Sequence, residues 1–439
     1  MRALLLTGVC VAILAGCSEA PTQTAQAEPA AIDIAEAVNT QPFNCAAMDE
    51  AMTSTIATGR ANGLSALVYD DGQVVYKKAF GKSDVERDTD MSGDTVVRIY
   101  SMTKPVTAAI IMQMVEEGKI SLDDPVKKWI PQIGLMQVYS GQDENGAPIF
   151  KPQDTDITIA HLLTHTSGLG YGLFGAVSPL DKLYADSGIL NPDQTNAEKM
   201  DMLPQLPLMG QPGTIWYYGL NLDVAGRVAE MVDDKPLSEV MQSRLFTPLG
   251  MTDTGFAVGQ ANKARFASTY AVTENGLVLY EGSQTSPFID GAAWEGGGGG
   301  LVSTLDDYSK FAEMLLNGGS LDGVTVLKPQ TVDMMMSDQT APGTKFLMPW
   351  FEDGAIRQGF GGTVVTGSTP QLEAAKGFAD GQYSWGGAAR THFVIDPDAN
   401  SYAILFMQQF EEPTPPLFAK FRSIARSSTA GVAAQPCTP

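Results

Sequence analysis

The chain has 439 residues, 44% of them hydrophobic and 18% charged, which is ample material for a large buried core. Its formal net charge of -22 is spread along the chain, and such a surface repels phosphate backbones, so nucleic acid is excluded as an expected partner. The length allows one large domain or several smaller ones.

The first residues carry one positive charge at Arg2 and an apolar run from Ala3 to Ala15, too short to span a bilayer and of signal-peptide length. The run ends in Leu14-Ala15-Gly16-Cys17, which resembles the lipobox of bacterial lipoproteins. That resemblance implies a signal peptide over residues 1–16 and a diacylglycerol on Cys17, holding the protein on a membrane of the cell envelope. Ser18 after the cysteine points to the outer membrane. Residues 18–42, rich in Ala, Pro, Gln and Thr, read as a disordered tether, so 17–42 is taken as lipidated cysteine plus tether. No Pro/Gly/Ser-rich linker interrupts 43–439, which is expected to form one domain with two lobes. Of the four cysteines, Cys10 falls in the cleaved segment and Cys17 takes lipid. Cys45 and Cys437 remain, and in an oxidising compartment this pair is expected to form a disulfide joining the two ends of the domain. No metal-type cysteine spacing occurs, and no metal or cofactor is expected.

The domain opens with a helix expected around Cys45 to Arg60. Two β-rich runs about Asp70-Asp71-Gly72 then predict a hairpin. After Ser101 an apolar stripe at Val106, Ile110, Ile111, Met114 and Val115 predicts a helix ending at Gly118, with Pro105 in its first turn. Further helices are expected over Leu222–Val232 and Thr304–Asn317. A second hairpin follows, with Asp396-Pro397-Asp398-Ala399-Asn400 as its turn, and a final helix from about Pro416 to Ser427. Strands at both ends with mostly helix between them predict an α+β fold. Its central antiparallel sheet is built from the N- and C-terminal segments and flanked by helices, with an inserted, mostly helical lobe.

Ser101 is expected to open its helix, with Lys104 about one turn further along the same face. Backbone N–H groups at a helix start favour developing negative charge, and a neighbouring lysine can take a serine proton. Read alone, the same S-x-x-K is also what a serine N-cap and a solvated lysine would look like. Two other stretches bear on the choice. "PGTIWYYGLNLDVAGRVAEMV" puts Tyr217 and Tyr218 in a loop before a helix, and "YSWGGAART" puts Trp385-Gly386-Gly387 in a strand, where paired glycines permit close approach to the backbone.

These three elements, with "ITIAHLLTHTSGLGYG", "LFTPLGMTDTGF", "GGGGLVSTLDDYSKFAEMLLNGG" and "WGGAARTHFVIDP", resemble the class C β-lactamase and DD-peptidase superfamily of serine hydrolases over about residues 45–410. The likeness is greatest to its esterase branch, the family VIII carboxylesterases. It implies that Ser101 carries the acyl group, that Lys104 and Tyr218 share the general base and acid work, and that the N–H groups of Ser101 and Ala388 form an oxyanion hole. Trp385, Gly386, Gly387 and Asn221 would contact the substrate, a small-molecule ester or amide. Two departures stand out. The branch's Y-x-N becomes Tyr218-Gly219-Leu220 with Asn221 one place late, which puts the asparagine's contact in doubt. Trp385-Gly386-Gly387 replaces K-T-G, so the usual cation is missing and neutral esters are favoured. Arg390, further along the strand, either restores a positive charge or is a solvated strand residue. A D-alanyl peptidase or β-lactamase is the first alternative, and an idle binding protein of the same fold the second.

Other features invite a bland reading. His161 and His165 at i, i+4 lack a third ligand and read as scaffold near the site. His392 reads as a sheet residue. The "EGGGGG" run, 295–300, lacks a following G-K-[ST] and reads as close backbone packing against the site. Met334-Met335-Met336 reads as core and loop. No G-x-S-x-G elbow is present.

Overall fold

The computed structural model describes residues 43–59, 61–173, 180–274, 276–348, 354–410, 417–426 and 437. The expected signal peptide, Cys17 and the tether lie outside the described residues. No helix among the described residues is long and apolar enough to cross a membrane.

Strands β1 (Gly63–Asp70) and β2 (Gln73–Asp84) form the first hairpin, joined by Asp71 and Gly72 with φ of 43° and 92°. Two successive left-handed residues give a turn whose twist matches the strands it joins. The sheet is completed by β3 (Thr89–Asp90), β4 (Ile356–Gln358), β5 (Thr363–Val365), β6 (Tyr383–Gly386), β7 (His392–Asp396) and β8 (Ser401–Met407). The order across its eight strands is β4-β5-β6-β7-β8-β1-β2-β3, antiparallel throughout. The first strand of the chain therefore lies beside the last long one, with Leu64 opposite Met407 and Asp70 opposite Ser401.

Side chains alternate across β1 as strand geometry demands. Leu64, Ala66 and Val68 share a core with Met48 and Met52 of α1 (Cys45–Ala57) and with Leu417 and Phe421 of a C-terminal helix. Leu67 and Tyr69 face the larger core, where Tyr308 packs against Phe393 and Phe406. Both faces of the sheet are thus covered by helix. Asn44 caps α1 by accepting from Ala47 N at 3.0 Å, and Thr58 and Gly59 end it short of Arg60.

The helix after Ser101 differs in detail from expectation. Tyr100–Met102 form a short 3-10 turn, and α2 runs over Thr103–Glu116 with Pro105 in its first turn. It is buried on all sides from Thr103 to Met114, which makes it the axis of the larger core. Helices α3 (Asn221–Asp233), α4 (Leu305–Leu316) and α5 (Leu417–Arg426) match the remaining predicted segments. Thr304 caps α4, and Asp306 and Asp307 in its first turn favour the positive end of the helix dipole. Cys45 at the start of α1 is disulfide-bonded to Cys437, with Cα atoms 5.8 Å apart. The Cys437 N–H also donates to Val75 O on β2 at 2.9 Å.

Candidate active site

Tyr100 has φ of 44°, a left-handed conformation that a bulky residue adopts only under external constraint. The constraint is visible on both sides. Ile99 N donates to Leu301 O (3.0 Å), Thr391 Oγ1 donates to Ile99 O (3.1 Å), and the Tyr308 hydroxyl donates to Met102 O (3.0 Å). The turn exposes part of Ser101 just ahead of the N-terminus of α2.

Lys104 is fully buried, and its Nζ donates to Ser101 Oγ at 3.2 Å and to Gly298 O at 2.6 Å. The Tyr218 hydroxyl donates to Ser101 Oγ at 2.7 Å, and Lys104 Nζ lies 4.5 Å from the Tyr218 ring centroid. A hydroxyl and an amine from one segment therefore meet, at Ser101 Oγ, a phenol from a segment more than a hundred residues away. Tyr217 points elsewhere, donating to both carboxylate oxygens of Asp181 at 2.9 Å.

The loop bearing Tyr218 is held tightly. Tyr217 N donates to His165 O (2.9 Å), and a Cβ on Gly219 would fall 2.0 Å from Leu169 O. His165 is fully buried with φ of 57°, and its ring lies 4.9 Å from that of Tyr218 and 6.2 Å from Trp385. Burial, reinforced by nearby Lys104, pushes its imidazole well below the ordinary histidine range, so it is a neutral aromatic brace. Tyr171 and Trp385 extend the wall, each 5.7 Å from the Tyr218 ring.

Asn221 corrects an expectation. It is fully buried, contacts His165 Nδ1 through Nδ2 at 3.0 Å, and accepts a hydrogen bond from Ser167 at Oδ1. As the first residue of α3 it turns inward to brace the 165–167 turn and does not face a substrate. His161 instead helps cap its own short helix, its Nδ1 accepting from Thr158 N at 3.2 Å. His392 lies in β7, 3.0 Å from Arg422 Nη1, and burial pushes it well below the ordinary range. Among the described residues no group of three or more His, Cys, Asp or Glu could hold a metal ion.

Trp385 and Gly386 end β6, while Gly387 and Arg390 lie beyond the strand, in a turn where Arg390 N donates to Gly387 O (3.0 Å) and Arg390 has φ of 60°. This corrects the placement of both in a strand. The turn arises because a Cβ on Gly387 would meet Ile99 O at 2.3 Å and Thr391 Oγ1 at 2.2 Å. Only glycine lets the turn that carries exposed Ala388 press against the Ser101 segment.

Sequence reasoning missed two members of the site. Gly298, in the glycine run, offers its carbonyl to Lys104, while its N–H donates to Asp223 Oδ1 at 3.0 Å. The glycine run was the available signal. Its tightness is real, since a Cβ on Gly297 would lie 2.4 Å from Leu222 O. Asp223 in α3 left no signal of its own.

The Beta-lactamase family model matches residues 47–424. Protein Rv1367c of Mycobacterium tuberculosis is 34% identical over 358 residues, covering 80% of this chain and 86% of that protein. Esterase EstB of Burkholderia gladioli is 30% identical over 374 residues, covering 80% and 87%. The solved structure of EstCE1, described as a hydrolase with promiscuous acyltransferase activity, superposes with a TM-score of 0.69 at 26% identity, over 87% of this chain and 97% of that one.

Proposed function

The chain belongs to the β-lactamase family, and on that footing we propose that it is a serine hydrolase cleaving neutral carboxylic esters through an acyl-enzyme on Ser101. The observation that carries this reading is the convergence of Lys104 Nζ and the Tyr218 hydroxyl on Ser101 Oγ, at 3.2 and 2.7 Å. In the first step Ser101 Oγ bonds to the ester carbonyl carbon, and its proton passes to the Lys104–Tyr218 pair. The tetrahedral oxyanion is met by the N–H groups of Ser101 and Ala388. Its collapse breaks the bond to the alcohol oxygen, which leaves with the proton from the pair. Water, or a second alcohol in an acyl transfer, then gives its proton to the same pair as it attacks the acyl carbon, and collapse of this second intermediate breaks the bond to Ser101 Oγ, which takes the proton back from the pair.

The aromatic wall supports an uncharged substrate. Trp385 stands where the peptidases and lactamases of the superfamily carry a lysine, and Tyr171 stacks on the Tyr218 ring. The test is turnover of a p-nitrophenyl ester by the purified protein, with fluorophosphonate labelling of Ser101. Ser101→Ala is expected to abolish both, and wild-type rates in that variant would refute the reading. Rapid turnover of a chromogenic cephalosporin, with slow ester cleavage, would favour a lactamase instead. The lipid anchor at Cys17 belongs to the same proposal and is checked by detergent partitioning of the full chain against Cys17→Ser.

A further inference from the structure

Behind Lys104 lies a carboxyl group for which the acyl-transfer steps give no role. Asp223 sits in the first turn of α3 and is 2% exposed. Its Oδ1 accepts from Gly298 N at 3.0 Å, and the carbonyl of that same residue accepts from Lys104 Nζ at 2.6 Å. Its Oδ2 is buried and has no hydrogen-bond partner among the described residues. A carboxylate oxygen left dry and unpaired is costly, and such exceptions call for an explanation in function. The contact is also built to exclude alternatives, since a Cβ on Gly298 would lie 2.4 Å from Asp223 Oδ2.

We propose, resting on the acyl-enzyme reading above, that Asp223 is a positioning residue. It clamps the Gly298 peptide so that its carbonyl holds Lys104 against Ser101.

The charged and titratable groups around Asp223 are few. Lys104 faces it from α2, Lys199 from the short helix Asn196–Met202, and Tyr171 from the loop before Gly172. Lys199 is held by Ile189 O (2.5 Å) and Asn191 O (2.7 Å) and lies 4.0 Å from the Trp294 ring centroid. Burial pushes the Asp223 carboxyl upward, and Lys104, the Gly298 N–H and Lys199 pull it back.

Asp223→Ala removes the acceptor for the Gly298 N–H, while Asp223→Asn keeps an oxygen there. The experiment measures kcat and KM for a p-nitrophenyl ester in wild type and both variants, with thermal unfolding recorded for all three. The expected result is a folded Asp223→Ala whose kcat falls about 10- to 100-fold with KM little changed, and an Asp223→Asn that recovers most of the loss. A folded Asp223→Ala with wild-type kcat overturns the proposal. Should Asp223→Ala not fold, Asp223→Asn carries the test, and a folded Asp223→Asn that loses kcat overturns the proposal as well. Failure here is distinct from failure of the acyl-enzyme reading, which would appear as absence of Ser101-dependent turnover in the wild type.

Discussion

Tyr217 and Tyr218 are adjacent in the chain and send their hydroxyls to different sites, one to Asp181 and the other to Ser101 Oγ. Two substitutions separate the roles. Tyr217→Phe loses a buried hydrogen bond to a carboxylate and is expected to cost about 1.5–3 kcal/mol of stability, with kcat/KM unchanged. Tyr218→Phe is expected to leave stability nearly intact and to lower kcat. Denaturant titration alongside ester hydrolysis checks both, and a reversed pattern would transfer the role to Tyr217.

Lys104 and Tyr218 address the same oxygen, so their losses are expected not to add. Lys104→Met and Tyr218→Phe should each lower kcat by about 10²–10⁴. The double variant should be little worse than the more damaged single one, because a proton relay missing one member is already broken. Independent, multiplying losses would mean that the two act in separate steps.

Buried neutral histidines predict acid sensitivity. His165 and His392 are both held well below the ordinary histidine value of about 6.5. Below that value the unfolded chain gains protons that the native one refuses. Stability is therefore full above about pH 6.5 and falls as the pH drops, by up to about 1.4 kcal/mol per pH unit for each histidine. Urea unfolding between about pH 7.5 and 5 should show this slope, and His392→Gln should reduce it by the share of one proton. A flat dependence would contradict the burial of both rings.

The disulfide spans a sequence separation of 392 residues. Replacing Cys45 by serine is expected to cost about 2–5 kcal/mol, read from the denaturation midpoint. Ester turnover by the folded fraction should not change, because the bond lies on the α1 side of the sheet, in the core that excludes Ser101.

Local signals were readable wherever one turn or stripe determined the outcome. Asp71-Gly72, the apolar face of α2 and the Thr304 cap each specify their element without help from distant residues. The trio of Ser101, Lys104 and Tyr218 was readable because a resemblance linked stretches more than a hundred residues apart. Asn221 was misjudged because its amide is consumed by His165 and Ser167, a tertiary fact that no spacing encodes. Gly298 acts through a carbonyl that every residue possesses, and Asp223 reads on a helix as one more solvated acid. The exit of Gly387 from β6 follows from the proximity of Ile99, which lies on the other side of the fold's long helical excursion.

The pairing of β1 with β8 has a consequence for biosynthesis. Residues 63–70 emerge from the ribosome early, yet one of their two hydrogen-bonding edges waits for residues 401–407. Until then the nascent polypeptide has a hairpin with an open flank, and the support that Thr391 gives to Ile99 is missing too. Such long-range closure is slow and cannot proceed during translation. The eight-stranded sheet is consequently completed only when the chain is almost wholly made.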